Sequence, residues 1–205
     1  MYNNTSEALK YFPNQSFLYF FNGFSAYQNG KFNESVKSLS FGYKLITKED
    51  PLVLDFLTFL GEGYYKLDDK NTSFEYFDKV LEIEPDNLMV LNNYAYYLSI
   101  DNIRLEKAEE MSKITIEKEP NNATYLDTYA WILFKLKKNE LALKYMTRAI
   151  ENSNNISDVV YEHYGDILFH NSKTEQAVVQ WNNAKINGEG SDLLDKKINN
   201  KMYFE

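Results

Sequence analysis

His163, Asp166 and His170 are spaced three and four residues apart, so a helix would carry imidazole, carboxylate and imidazole along one face. That set could in principle hold a divalent metal. The two histidines, however, lie nearly two turns apart, a long reach for one ion, and no fourth ligand stands near them. Ordinary surface histidines are the plainer reading, and no metal is expected. A second candidate is "GFSAYQNGK" at 23–31, which has two glycines and a lysine. Its glycines are too far apart for a phosphate loop, no Ser or Thr follows Lys31, and no strand precedes it. Gly30 reads better as a turn between helices. The 205 residues include no cysteine, which excludes disulfides and thiol chemistry. No catalytic residue and no cofactor is therefore expected.

The composition points to the elements that position these residues. Hydrophobic residues make up 44% of the chain, enough for a core, and eight Gly with four Pro favour long helices over a turn-rich β fold. No stretch approaches the roughly 20 apolar residues of a membrane span. The formal charge is −8 and the basic residues are scattered, so nucleic acid is not an expected partner.

The chain repeats. Small residues recur at Gly61, Ala95, Ala130 and Gly165, and again at Ser35, Ser73, Ala108, Ala142 and Ala177. Around each first-series position the apolar spacing is helical, as in Leu57, Leu60, Gly61 and Tyr64. A polar break follows ("DDKN", "DNIR", "KKNE", "NSKT"), and then a second apolar stripe such as Phe74, Phe77, Val80 and Leu81. Each unit is thus two antiparallel helices that cross at small residues. Larger side chains at Tyr64, Phe77, Met146 and Trp181 fill the space between them.

This pattern resembles the tetratricopeptide repeat, a 34-residue helix–turn–helix. Residues 54–87 carry Leu57, Leu60, Gly61, Tyr64, Ser73, Phe77 and Pro85 in register. Further units fall at 16–50, 88–122, 123–156 and 158–191. The resemblance implies an all-α, right-handed α-α superhelix of about five repeats. Ala8 and Pro13 fit the close of a unit, so residues 1–15 are expected to be the remnant of an upstream repeat. That would leave the aromatic run "FLYFFNGF" at 17–24 open, with self-association through this edge as a consequence. Residues 191–205 are expected to form a capping helix, started by Ser191 and Asp192, with Leu193, Leu194 and Ile198 on one side and the charges elsewhere.

In this family the first helix of each repeat lines a concave groove that contacts ligands. The resemblance places Asp55, Thr58 and Glu62 there, then Asn92 and Tyr96, Asp127 and Trp131, and Glu162 and Asp166. The acids could solvate an open face or select a positive partner, and Tyr96 and Trp131 could be anchors or inter-repeat packing. Members that hold a terminal carboxylate do so with Lys and Asn, and the carboxylates on these faces weigh against that activity. The function implied is a non-enzymatic scaffold binding a protein or peptide of basic or mixed charge. The alternative is a structural or self-association module with no groove ligand. The second half is also similar to bacterial tetratricopeptide lipoproteins. That implies a periplasmic or outer-membrane-associated protein, and without it a cytoplasmic one.

Overall fold

The structure is a computed structural model and describes residues 1–204. Among these residues there are twelve helices and no strand. They are α1 (Tyr2–Tyr11), α2 (Ser16–Gln28), α3 (Phe32–Tyr43), α4 (Val53–Lys66), α5 (Lys70–Ile83), α6 (Leu88–Ile100), α7 (Leu105–Lys118), α8 (Ala123–Lys135), α9 (Asn139–Asn152), α10 (Asp158–His170), α11 (Thr174–Asn187) and α12 (Leu194–Asn200). They fall into two compact units, Met1–Val90 and the chain from Leu91 onward. The fold is an all-α helical repeat.

One turn recurs between the helices of a pair. Gly30, Asp68, Lys137 and Ser172 have positive φ (69°, 61°, 61° and 60°), and Asn102 and Arg104 do so between α6 and α7. At each turn a backbone N–H reaches back to a carbonyl five residues earlier: Lys31 to Ala26, Asp69 to Tyr64, Ile103 to Leu98, Lys138 to Leu133 and Lys173 to Leu168. These bonds satisfy carbonyls that the helix ends leave open. Several helix starts are capped by side chains: Asp69 accepts from the Thr72 amide, Asn122 from Thr124 and Tyr125, and Ser157 from Val160.

The small residues work by close approach. A Cβ on Gly61 would lie 2.6 Å from the Phe77 ring, and one on Gly165 would run into Trp181. Phe77, Met146 and Trp181 are fully buried, as the repeat pattern requires. The core of the first unit gathers Phe20, Val36, Leu39, Phe56 and Leu60. In the second unit Leu126, Ala130, Phe134, Met146 and Ile167 form one cluster, and Leu168, Ala177, Trp181, Ala184 and Leu194 form another.

Two expectations about the C-terminus need correction. Helix α12 begins at Leu194 rather than at the Ser191–Asp192 pair, and no side chain caps it. Ser191 instead turns its amide and hydroxyl onto Glu162. The charges do not all face outward either, because Lys197 is only 4% exposed. At the other end, Asn22 fastens α1 to α2 by donating to the Tyr2 carbonyl and to the hydroxyls of Thr5 and Ser6. Phe20 is buried, whereas Phe17 and Phe21 remain exposed.

Candidate protein-interaction face

In the first unit, helix α4 carries Asp55, Thr58 and Glu62 at three- and four-residue steps, one face of the helix. Asp55 is exposed, while Thr58 and Glu62 are buried. The Tyr27 hydroxyl donates to Glu62 Oε2 at 3.2 Å. Burial pushes the Tyr27 hydroxyl well above its ordinary value of 10.0, and the neighbouring Glu62 charge adds to this.

The second unit gathers more of the candidate residues. Asn92 on α6 is buried, and its amide nitrogen donates to Asn93 Oδ1 at 3.2 Å, while its own oxygen has no partner. Tyr96, half-buried on the same helix, lies 6.2 Å from the His163 ring. His163 is not a surface histidine. It is 7% exposed, stacks on Trp131 with ring centroids 3.9 Å apart, and places Nδ1 3.1 Å from Asp127 Oδ1. A carboxylate oxygen only accepts, so the hydrogen sits on Nδ1. The Lys135 ammonium lies over the Trp131 ring, 5.3 Å from its centroid. The indole N–H of Trp131 is buried without an acceptor.

Beside this stack, Glu162 and Asp166 stand one turn apart on α10 and share one cation. Lys197 Nζ lies 2.8 Å from Glu162 Oε1 and 2.7 Å from Asp166 Oδ2, with all three side chains buried. Trp181 Nε1 donates to the other Asp166 oxygen at 2.9 Å. The two carboxyls shift in opposite directions. Burial works to raise Glu162, but Lys197 and the Ser191 donors outweigh it and hold Glu162 below its ordinary value of 4.5. Asp166 lies deeper, and there burial outweighs Lys197 and Trp181 and pushes its carboxyl up. His170 points Nδ1 to the Asp166 carbonyl at 3.0 Å. With His163 on Asp127 and the Asp166 carboxylate on Lys197, the two histidines and Asp166 do not converge on a common point. A cavity of about 320 Å³ remains, lined in part by Trp131, Glu162, His163, Asp166, Lys197 and Tyr203.

Sequence reasoning took His163 for a surface histidine, and it missed Lys197 and Tyr203. For Lys197 there was a signal: it follows Leu194 by three residues and precedes Ile198 by one, so the helical period puts it beside the apolar stripe. Tyr203 lies beyond the helix, where no periodicity could place it.

Residues 54–87 and 123–156 match the family model for the tetratricopeptide repeat. Those two segments are tetratricopeptide repeats. Solved repeat proteins share its fold. A tetratricopeptide repeat protein from Parabacteroides merdae superposes with a TM-score of 0.74 at 16% identity, covering 97% of this chain and 75% of that one. Pseudomonas aeruginosa pilF gives 0.71 at 18% identity, covering 91% and 86%. MamA from Desulfovibrio magneticus RS-1, from residue 41 to its end, gives 0.69 at 16% identity, covering 83% and 93%. At such identities the likeness is one of fold. No curated protein matches the chain.

Proposed function

We propose that this repeat protein is a non-enzymatic scaffold that seats a polypeptide segment against the first helices of its repeats. One observation supports the reading above the others. Tyr96, Trp131 and His163 assemble a ring surface in the second unit, beside a cavity that also meets Lys135 and Lys197. Aromatic rings supply contact area at low entropic cost, and flanking charges set register and selectivity. In the first unit, Asp55 with Thr58 and Glu62 forms the corresponding face. The acids divide into classes. Asp55 is exposed and able to meet a basic partner, whereas Asp127, Glu162 and Asp166 already hold partners inside the chain.

The test is site-directed photocrosslinking in the native host. A photoreactive residue at Tyr96 should capture a polypeptide, and the same residue at exposed Glu151 on α9 should not. Equal capture at both positions would overturn the reading. Trp131→Ala should be assayed for affinity and thermal stability together. The ring is 8% exposed and belongs to the second-unit core, so a loss of about 3–5 kcal/mol is expected. A folded Trp131→Ala variant with full affinity would remove Trp131 from the binding face.

A second reading, self-association, rests on a separate feature. Tyr11, Phe12, Phe17, Phe21 and Phe41, all in the first unit, are 72%, 59%, 45%, 42% and 49% exposed. Aromatic side chains left in water at this density favour contact with another apolar surface.

A further inference from the structure

Helix α12 and the residues after it hold more than a cap requires. A terminal helix covers the last repeat with an apolar face and turns a polar one to water. Leu194, 2% exposed, and half-buried Ile198 meet that need. Lys197 does not. It takes an ammonium out of water between two carboxylates, an arrangement that an apolar side chain of similar size often replaces without loss of stability. What a buried cation on two fixed anions provides is selectivity. Each anion is further oriented, Glu162 by the Ser191 amide at 2.8 Å and Asp166 by the Trp181 indole.

The segment has an aromatic end as well. Tyr203 sets its ring edge-on to His170 at 4.6 Å and to Phe134 at 5.9 Å, with the Lys197 ammonium 5.3 Å from its centroid. Lysine and tyrosine thus lie on the face of α8 and α10 that carries the candidate binding residues. The connection back to α11 passes through Gly190, whose φ of +64° suits glycine and whose amide donates to Asp158 Oδ2 at 3.1 Å.

We propose that Glu162 and Asp166, with the Phe134–His170 wall, form a recognition seat for a polypeptide carrying a lysine followed closely by an aromatic residue. The chain's own Lys197 and Tyr203 occupy that seat in cis. This deepens the scaffold reading above and rests on it. A neutral segment cannot take the seat, because it would leave two buried carboxylates facing each other without a cation. A partner must therefore bring its own lysine. It must also outcompete a tethered occupant whose effective concentration is on the order of millimolar. The cis segment sets a threshold, so that dense or tightly binding partners engage and sparse ones do not.

The experiment uses the 205-residue chain and a fluorescent synthetic peptide of residues 191–205. The double variant Lys197→Gln/Tyr203→Ala, with its seat vacated, should bind the peptide at least tenfold more tightly than the native chain does. The same peptide carrying Lys197→Gln and Tyr203→Ala should bind the double variant at least tenfold more weakly. Equal affinity for the two peptides, or no binding by a folded double variant, overturns the proposal. If the double variant does not fold, the native chain serves: excess native peptide should raise hydrogen exchange across Ser191–Phe204, and the substituted peptide should not. Unchanged exchange with both peptides also overturns it. A native dimer that Tyr203→Ala converts to monomer would make the occupant a second copy and overturn the reading of a foreign partner. Failure of the peptide with continued crosslinking at Tyr96 removes the seat and leaves the scaffold.

Discussion

Ser73 is fully buried and its hydroxyl has no hydrogen-bond partner; Ser35 is in the same state. The later repeats place Ala108, Ala142 and Ala177 at the corresponding position, all fully buried. Burying an unpaired hydroxyl is unfavourable, and alanine removes it without opening a large void. Ser73→Ala should therefore stabilise the chain by about 1 kcal/mol in denaturant unfolding; a loss of stability would mean that the hydroxyl holds water. Glu162 gives a prediction with a sign. Its folded value lies below its unfolded one, so its contribution is complete above the ordinary 4.5 and is lost as pH falls below it. Asp166 is raised, so its contribution runs the other way, present at low pH and lost as pH rises. Comparing native and Glu162→Gln melts isolates the first. The native advantage should hold at neutral pH and shrink below pH 4.5, and an advantage that grew on acidification would contradict this assignment. At this scale the sequence was partly legible. The repeat resemblance placed Asp127, Trp131, Glu162 and Asp166 on first helices, and spacing put each pair on one face. Neither could tell that His163 would bond Asp127 or that Lys197 would pair with Glu162 and Asp166, because each partner sits on a different helix from its acid.

Helix pairs were the most readable level, and the reason is mechanical. Each pair crosses where one helix presents a glycine or alanine and the other a larger side chain, so a small residue must recur with the repeat. Gly165 is held to this rule by Trp181, whose indole is fully buried and fixed by Asp166. Gly165→Ala should push that ring off its hydrogen bond and cost about 1–3 kcal/mol. Ala130, at the corresponding crossing, already carries a methyl group and is fully buried. Ala130→Gly should cost only about 1 kcal/mol, the ordinary helix penalty for glycine. Thermal melts of the two variants compare the crossings directly, and equal losses would mean that Trp181 moves aside freely. Helix α12 was read less well. Ser191 and Asp192 look like a cap, but the Ser191 donors go to Glu162, and a local signal cannot show that a distant carboxylate will claim them.

For the molecule as a whole, two surface properties oppose each other. The chain carries −8, so two copies repel at low ionic strength. The first unit also exposes Phe17 and Phe21, one helical turn apart on the same face of α2, together with Phe41 on α3. Apolar attraction acts at short range and salt does not screen it, whereas the net-charge repulsion weakens once the Debye length falls to about 10 Å near 0.1 M salt. Self-association through this surface should therefore rise with added salt, the opposite of association driven by opposite charges. Sedimentation velocity of the native chain at low and moderate salt reads the trend. Phe17→Ser/Phe21→Ser should suppress it at both, and since both rings are more than two-fifths exposed, the double variant should keep its fold by circular dichroism. A native chain that stays monomeric across both salt conditions at high concentration would set the self-association reading aside, and the polypeptide-binding reading would then stand alone.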